Sequence, residues 1–155
     1  MPLLTLTLVV ILATTGLPSP EVQAAIGQTL DDFHRAAAAA DEPRYFGHFA
    51  SDGVFLGTDP GERWTVEAFR VYAHPHFAAG KGWKYVPRER HISVDGDFAW
   101  FDEILDNAKY GACRGTGVLK RVDGKWLVAQ YSLTFLVPNA LAEKVTKITR
   151  AGGER

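Results

Sequence analysis

The sequence has little cysteine and no excess of charge of either sign, and each shortage excludes a class of protein. The single cysteine, Cys113, cannot form a disulfide within the chain, and we interpret it as a small buried apolar side chain. Lys plus Arg number 17 and Asp plus Glu number 18, which gives a formal net charge of −1. Because a polyanion is bound by a basic surface, we predict no nucleic-acid partner.

Lysine and arginine are also missing from residues 1–24, which begin with an apolar run. The run is broken by Gly16, Pro18 and Pro20 and ends in Val22-Gln23-Ala24, a pattern typical of a secretory signal and its cleavage site. About 15 apolar residues fall short of the ~20 that cross a bilayer, so a membrane anchor is the lesser alternative. We predict export, periplasmic or secreted, with no stable membrane insertion after processing, a domain over residues 25–150 and a frayed tail over 151–155.

Hydrophobic spacing predicts helices first and strands afterwards. Apolar residues recur at helical spacing between Ile26 and Ala37, while Asp41 and Thr65 are placed to cap a second and a third helix around a short strand over 53–57. The predicted long strands cover residues 83–94, 98–105, 110–121 and 126–137, and a last helix opens at Asn139. Short links between these strands indicate an antiparallel meander, and the whole order is typical of an α+β domain whose helices cover one face of a curved sheet.

The faces of the last strands depend on the links between them. We favour a three-residue link, Val122-Asp123-Gly124, which pairs Arg121 with Lys125. It predicts one polar face, consisting of Arg114, Thr116, Gln130, Ser132 and Thr134. A two-residue link, the alternative, would put Arg114 and Leu133 on one face and scatter the polar set.

Two adjacent acids, Asp102 and Glu103, interrupt an otherwise apolar strand. Neighbouring strand residues point to opposite faces, and a buried carboxylate needs a partner. A four-residue link around Asn107 places Glu103 opposite Arg114, and a three-residue link places Asp102 on the Arg114 face instead. We favour Glu103, either as a structural ion pair or as an acid or base; an Arg neighbour lowers a carboxylate's pKa and makes it a poor base.

The predicted helices and the many aromatic side chains need a sheet face to cover. If they cover the Arg114 face, the polar set lines a ligand cavity together with Trp64, Tyr72 and Trp83, and the apolar reverse face suits pairing with a second copy. The alternative is that the polar set is the solvated side of a sheet packed only on its other face.

Four segments carry a family resemblance: YFGHFASDGVFLGT (45–58), RWTVEAFRVY (63–72), AWFDEILDN (99–107) and GTGVLKRVDGKWLVAQYSLTF (115–135). With this order of elements the chain resembles the nuclear transport factor 2-like superfamily, in particular its SnoaL-like branch. The resemblance implies a cone-shaped α+β fold with an open mouth, commonly dimeric, that requires no cofactor. Steroid isomerases of this kind carry a general-base Asp where this chain has Gly57. The Asp-Arg-Asp trio of the epoxide hydrolases is not expected, because Arg114 has one plausible acid partner.

We therefore predict an exported, homodimeric pocket protein that binds a small, partly apolar molecule. Its candidate activity is isomerase- or dehydratase-type proton transfer by Glu103 or by His91, although we favour a structural role for His91. A non-catalytic ligand-binding or assembly module is the other candidate function. We expect no metal, because His74 and His76 point apart on a helix.

Overall fold

The computed structural model describes residues 19–153, which form a curved, unclosed sheet and four helices, the first three of which cover its concave face. The elements are α1 (Pro20–Ala38), α2 (Glu42–Gly47), β1 (Phe49–Leu56), β2 (Arg63–Thr65), α3 (Val66–Ala78), β3 (Val86–Asp95), β4 (Phe98–Asn107), β5 (Gly111–Val122), β6 (Lys125–Phe135), a 3-10 turn (Asn139–Leu141) and α4 (Ala142–Gly153). The α+β class predicted from the sequence is confirmed, and the elements follow in the predicted order except for the short strand β2, which was not predicted. None of the helices between residues 19 and 153 combines the length and apolar character that a membrane crossing requires.

The predicted signal segment lies mostly outside the described residues. Its proposed cleavage residues, Val22-Gln23-Ala24, fall in the first turns of α1, where Val22 packs against the core. Ser19 caps this helix by accepting a hydrogen bond from the Val22 backbone N–H at 3.3 Å.

Side-chain caps fix the entry to the next two helices. Asp41 accepts from the Arg44 backbone N–H at 3.2 Å, and Thr65 accepts from that of Ala68 at 3.2 Å. Both caps were predicted from the sequence and are confirmed. A capping side chain satisfies one of the backbone donors that a helix leaves free at its first turn, so these residues set where α2 and α3 begin.

The sheet has the strand order β2-β1-β6-β5-β4-β3. Strands β3 to β6 form the predicted antiparallel meander, and β1 runs parallel to β6. We call the helix-covered side of the sheet the inner face and the other side the outer face. The buried core lies between the helices and the inner face, and its larger members are Ile26, Leu30, Phe33, Tyr45, Phe46, Phe49, Phe69, Phe77, Phe101, Leu119, Trp126, Val128 and Tyr131.

The predicted three-residue link between β5 and β6 is wrong. Val122 pairs with Lys125, so the link is the two-residue Asp123-Gly124. Both residues have positive φ, 49° and 78°, as a type I′ turn requires. This turn wins because its twist matches that of the strands it joins, and Asp tolerates the left-handed conformation better than most residues.

The predicted Glu103–Arg114 pair is also wrong. Asn107 pairs with Gly111 across a three-residue link, which places Glu103 opposite Gly115 and Asp102 opposite Thr116. Glu103 therefore points to the inner face and is fully buried, whereas Asp102 is exposed on the outer face.

The polar set shares one face, as predicted, but it is the outer face. A bulge between Val118 and Leu119 shifts the pairing of β5 with β6 by one residue and so offsets the shorter link. Arg114 therefore lies opposite Thr134, Thr116 opposite Ser132 and Val118 opposite Gln130. The covering helices are on the other side, so this set does not line the helix-covered interior. The apolar face was expected to pair with a second copy, but it is the face that the helices cover. It carries side chains such as those of Leu119 and Tyr131, so covering it removes more apolar surface from water than covering the polar face would.

Candidate functional site

A cavity of about 300 Å³ opens between α3, the β1–β2 hairpin, the segment that joins α3 to β3, and the end of β6. We call it the aromatic cavity, because its lining includes Phe55, Trp64, Phe69, Tyr72, Trp83 and Phe135. Three of these, Trp64, Tyr72 and Trp83, were predicted as ligand-binding residues, and the structure places all three on the cavity wall. The rings of Trp64 and Tyr72 stack with centroids 5.2 Å apart, which holds a flat apolar surface at the mouth.

A narrow space of about 20 Å³ continues from the aromatic cavity towards the sheet. We call it the neck. It shares Phe55, Trp83, Tyr85 and Leu133 with the aromatic cavity, and His34 and Tyr131 are among its other lining residues. The neck thus leads from aromatic walls to polar groups on α1 and β6.

Those polar groups are anchored to Glu103. Nε2 of His34 lies 2.6 Å from Oε1 of Glu103, and the Tyr131 hydroxyl donates to the same oxygen at 3.0 Å. The other oxygen, Oε2, accepts from Nε of Arg90 at 2.8 Å. These partners explain how a strand can bury an acid: each carboxylate oxygen that leaves water receives a hydrogen bond in exchange.

The cluster keeps Glu103 ionised and Tyr131 neutral. Burial on its own raises the pKa of Glu103, but the hydrogen bond from His34 and the charge of Arg90 outweigh burial and hold the pKa below its ordinary value. Burial and the neighbouring carboxylate raise the pKa of the Tyr131 hydroxyl well above its ordinary value. An ionised Glu103 fixes the hydrogen of His34 on Nε2, so Nδ1 is the imidazole nitrogen left to exchange a proton.

Arg90 joins the cluster to the first helix. Its Nη1 donates to Asp31 Oδ1 at 2.8 Å and to the Gly27 carbonyl at 3.2 Å. The chain therefore does contain an acid–arginine–acid arrangement, Asp31–Arg90–Glu103, although none was expected around Arg114. The pairing of Arg90 with Glu103 has a basis in the sequence, because the tight Gly96-Asp97 link places Arg90 directly opposite Glu103 on the neighbouring strand.

The two predicted catalytic residues have different outcomes. Glu103 belongs to the cluster but lines neither the aromatic cavity nor the neck, so it acts on a ligand only through His34 or Tyr131. His91 follows Arg90 in β3 and points to the outer face, where its side chain is 68% exposed. It is far from the interior, and its predicted cavity position is wrong.

His34 was missed by sequence analysis. It lies in the apolar stripe of α1 beside Phe33 and is 7% exposed. A polar residue on the buried side of an amphipathic helix is the signal that could have singled it out.

No metal site accompanies the cluster. Within residues 19–153, no three His, Cys, Asp or Glu side chains are grouped so as to hold a metal ion. His74 is bound to Glu42 through Nδ1 at 2.7 Å, and His76 lines the aromatic cavity.

Comparison with known proteins assigns the chain to a family. The SnoaL-like domain matches residues 26–138, and no curated protein matches the chain. A Nostoc punctiforme protein of unknown function with a cystatin-like fold is 18% identical, with a TM-score of 0.65 over 78% of this chain and 95% of its own. A Streptomyces avermitilis protein, provisionally named a dehydratase of the NTF2-like family, is 15% identical, with a TM-score of 0.62 over 77% of this chain and 100% of its own. A Novosphingobium aromaticivorans protein, provisionally named an aromatic ring hydroxylase, is 19% identical, with a TM-score of 0.64 over 78% and 93%. The family match covers most of the chain, which therefore belongs to the SnoaL-like domain family.

Proposed function

We propose that the protein binds a small, partly apolar molecule in the aromatic cavity and exchanges a proton with it through His34. The observation that carries the proposal is the polarity of the interior: an aromatic chamber narrows to an imidazole and a phenol, both hydrogen-bonded to one buried carboxylate. A volume of about 300 Å³ is at the lower end for ligand cavities, which favours a molecule of one or two rings.

The aromatic walls support the choice of ligand. Phe55 and Phe69 stack with centroids 4.1 Å apart, and Trp64 stacks on Tyr72. Flat rings of this kind bind a planar ligand by face or edge contact and exclude water from it. A polar substituent on the ligand then faces the neck. His34 and Tyr85 are the groups that can bind it there, because the Tyr131 hydroxyl already donates to Glu103.

The cluster supports proton transfer. Glu103 is a positioning residue in this proposal, because it holds the imidazole orientation and its hydrogen on Nε2 while Nδ1 accepts or returns a proton. Burial raises the pKa of Tyr85 to about 12, so its hydroxyl is a neutral donor for a ligand oxygen. Isomerisation and dehydration both need this combination, and one structural neighbour is provisionally named a dehydratase. Export stays part of the proposal on the strength of the N-terminal sequence.

The binding part is tested by calorimetric titration with 2-tetralone, a bicyclic ketone. Trp64→Ala removes one aromatic wall. We expect it to reduce the binding free energy by about 1.4 kcal/mol, which weakens binding roughly tenfold. Trp100→Ala is the matched control, because this tryptophan is 52% exposed on the outer face and its removal leaves the affinity unchanged. Equal affinities of the two variants would contradict the proposed cavity.

The catalytic part is tested with the same ketone by NMR in deuterated water. The wild-type protein should speed the exchange of the hydrogens next to the carbonyl, since His34 takes one from carbon and a deuteron replaces it. His34→Gln should return the rate to that of buffer while 2-tetralone still binds, and His91→Gln should behave like wild type. A wild-type protein that binds the ketone without accelerating exchange would leave the binding module as the function.

A further inference from the structure

His34 borders a second opening on its other side. This opening, the side groove, has a volume of about 220 Å³ and runs between α1 and the segment that enters β3. Its α1 wall is formed by Asp31, Arg35 and Ala38, and its second wall by residues 84–87. His34 and Tyr85 line both the neck and the side groove, so they form the partition between the two.

The side groove differs in chemistry from the aromatic cavity. Helical spacing brings Asp31, Arg35 and Ala38 to the same flank of α1 as His34. Arg35 is 62% exposed and the Asp31 side chain 48% exposed, so the groove presents charged groups to water. A polar groove of this kind is filled by solvent, whereas an aromatic chamber holding an apolar ligand is not.

Both walls of the side groove are tied to the sheet. Arg90 binds Asp31 and the Gly27 carbonyl from β3, which fixes the α1 wall. The Asn107 side chain donates to the Lys84 carbonyl at 3.1 Å, which fixes the other wall. The groove is therefore a built feature of the fold and not a gap between loosely packed loops.

We propose that the side groove is the water entrance to His34, separate from the mouth through which the apolar ligand enters. A proton taken up by the imidazole has to return to solvent or to the product. The neck, at about 20 Å³, has room for about one water molecule between His34 and the aromatic cavity, so it is a poor route to solvent even when no ligand is bound. The side groove supplies the wider route, with Tyr85 separating its water from the aromatic cavity. This inference deepens the proposed function and rests on the role given there to His34.

The test needs no ligand, so its failure is distinguishable from failure of the proposed function. Hydrogen exchange at the imidazole C2 carbon requires water at the ring and is read by mass spectrometry across the full pH profile. Ala38→Trp places a large side chain over the groove from an exposed position of α1, and Val86→Trp does so from the opposite wall. Ala39→Trp is the matched control, since Ala39 is exposed at the end of α1 and does not line the groove. Thr58→Trp obstructs the mouth instead.

We expect Ala38→Trp and Val86→Trp to slow exchange at His34 by roughly tenfold or more, the behaviour of a group that water reaches only by local opening. Ala39→Trp and Thr58→Trp should exchange at the wild-type rate. Thermal unfolding of each variant identifies any that fails to fold. The exchange rate of a groove variant that does fold then decides whether the side groove is the water entrance. The proposal is overturned if Thr58→Trp slows exchange at His34, or if the folded groove variants exchange like wild type.

Discussion

Replacing Glu103 by glutamine removes the negative charge to which the interior cluster is anchored. The side chain is fully buried, and the variant leaves His34, Tyr131 and Arg90 facing a neutral amide. The amide nitrogen has no lone pair to offer, so either Nε of Arg90 or Nε2 of His34 meets a second donor.

The loss of stability depends on which partners Arg90 keeps in the variant. Removing one member of a buried ion pair costs about 3–5 kcal/mol, because the other charge is left buried. Arg90 keeps Asp31 at 2.8 Å, which offsets part of that cost. We therefore expect Glu103→Gln to lower the free energy of unfolding by about 3 kcal/mol, a large share of the ~5–15 kcal/mol of a typical domain.

Asp102→Asn is the matched control. Asp102 is the neighbouring acid in the same strand, but it is exposed on the outer face. A surface change of this kind alters stability by about 0.5 kcal/mol or less. Urea unfolding of the wild type and the two variants, followed by circular dichroism, gives the comparison.

The pH dependence of this stability difference tests independently whether the charged form of Glu103 stabilises the fold. The pKa of Glu103 is lower in the folded chain than its ordinary value of 4.5, so its contribution to stability is present above that value and is lost as pH falls through the folded pKa. The stability gap between wild type and Glu103→Gln should therefore be constant near neutrality and shrink in acid. Equal losses in Glu103→Gln and Asp102→Asn, or a gap that grows in acid, would refute the reasoning.

Three further predictions test other parts of the structure. Gly115→Ala should destabilise the fold by about 1–3 kcal/mol in thermal unfolding, because its Cβ would run into the Tyr131 hydroxyl and lie 2.9 Å from Oε1 of Glu103; an unchanged melting temperature would contradict this packing. Arg114→Ala should leave the calorimetric affinity for 2-tetralone unchanged, since Arg114 is exposed on the outer face, and a clear loss of affinity would return it to the site. N-terminal sequencing of the protein isolated from its host should show a mature chain that begins after Ala24, and a chain retaining the apolar run would contradict export by cleavage.

Much of the fold could be predicted because the local signals agree. The period of apolar residues changes near Trp83 from helical to alternating, and Asp41 and Thr65 cap helices in the structure as predicted. Each of these signals acts within a few residues, which is the range that a sequence pattern reports.

The site was harder to predict than the fold, because it depends on the register between strands. A one-residue difference in a link moves every side chain of a strand to the other face, and both favoured links were wrong by one residue. The bulge between Val118 and Leu119 offset the error between β5 and β6, but the error between β4 and β5 put Glu103 on the face opposite to that of Arg114. Glu103 was correctly selected as a buried acid in need of partners, but the partners come from Arg90 on β3 and from His34, 69 residues away on α1. No periodicity reports how a helix is placed over a sheet.

The central claim is that the aromatic cavity holds a small molecule. Native mass spectrometry of the protein purified from its own host tests it most directly, with wild type, Thr58→Trp and Trp100→Ala compared under the same gentle conditions. The claim predicts a bound small molecule on wild type and on Trp100→Ala, and none on Thr58→Trp, whose new side chain fills the mouth. Wild-type protein that carries no such molecule, or all three proteins carrying it equally, would contradict the claim.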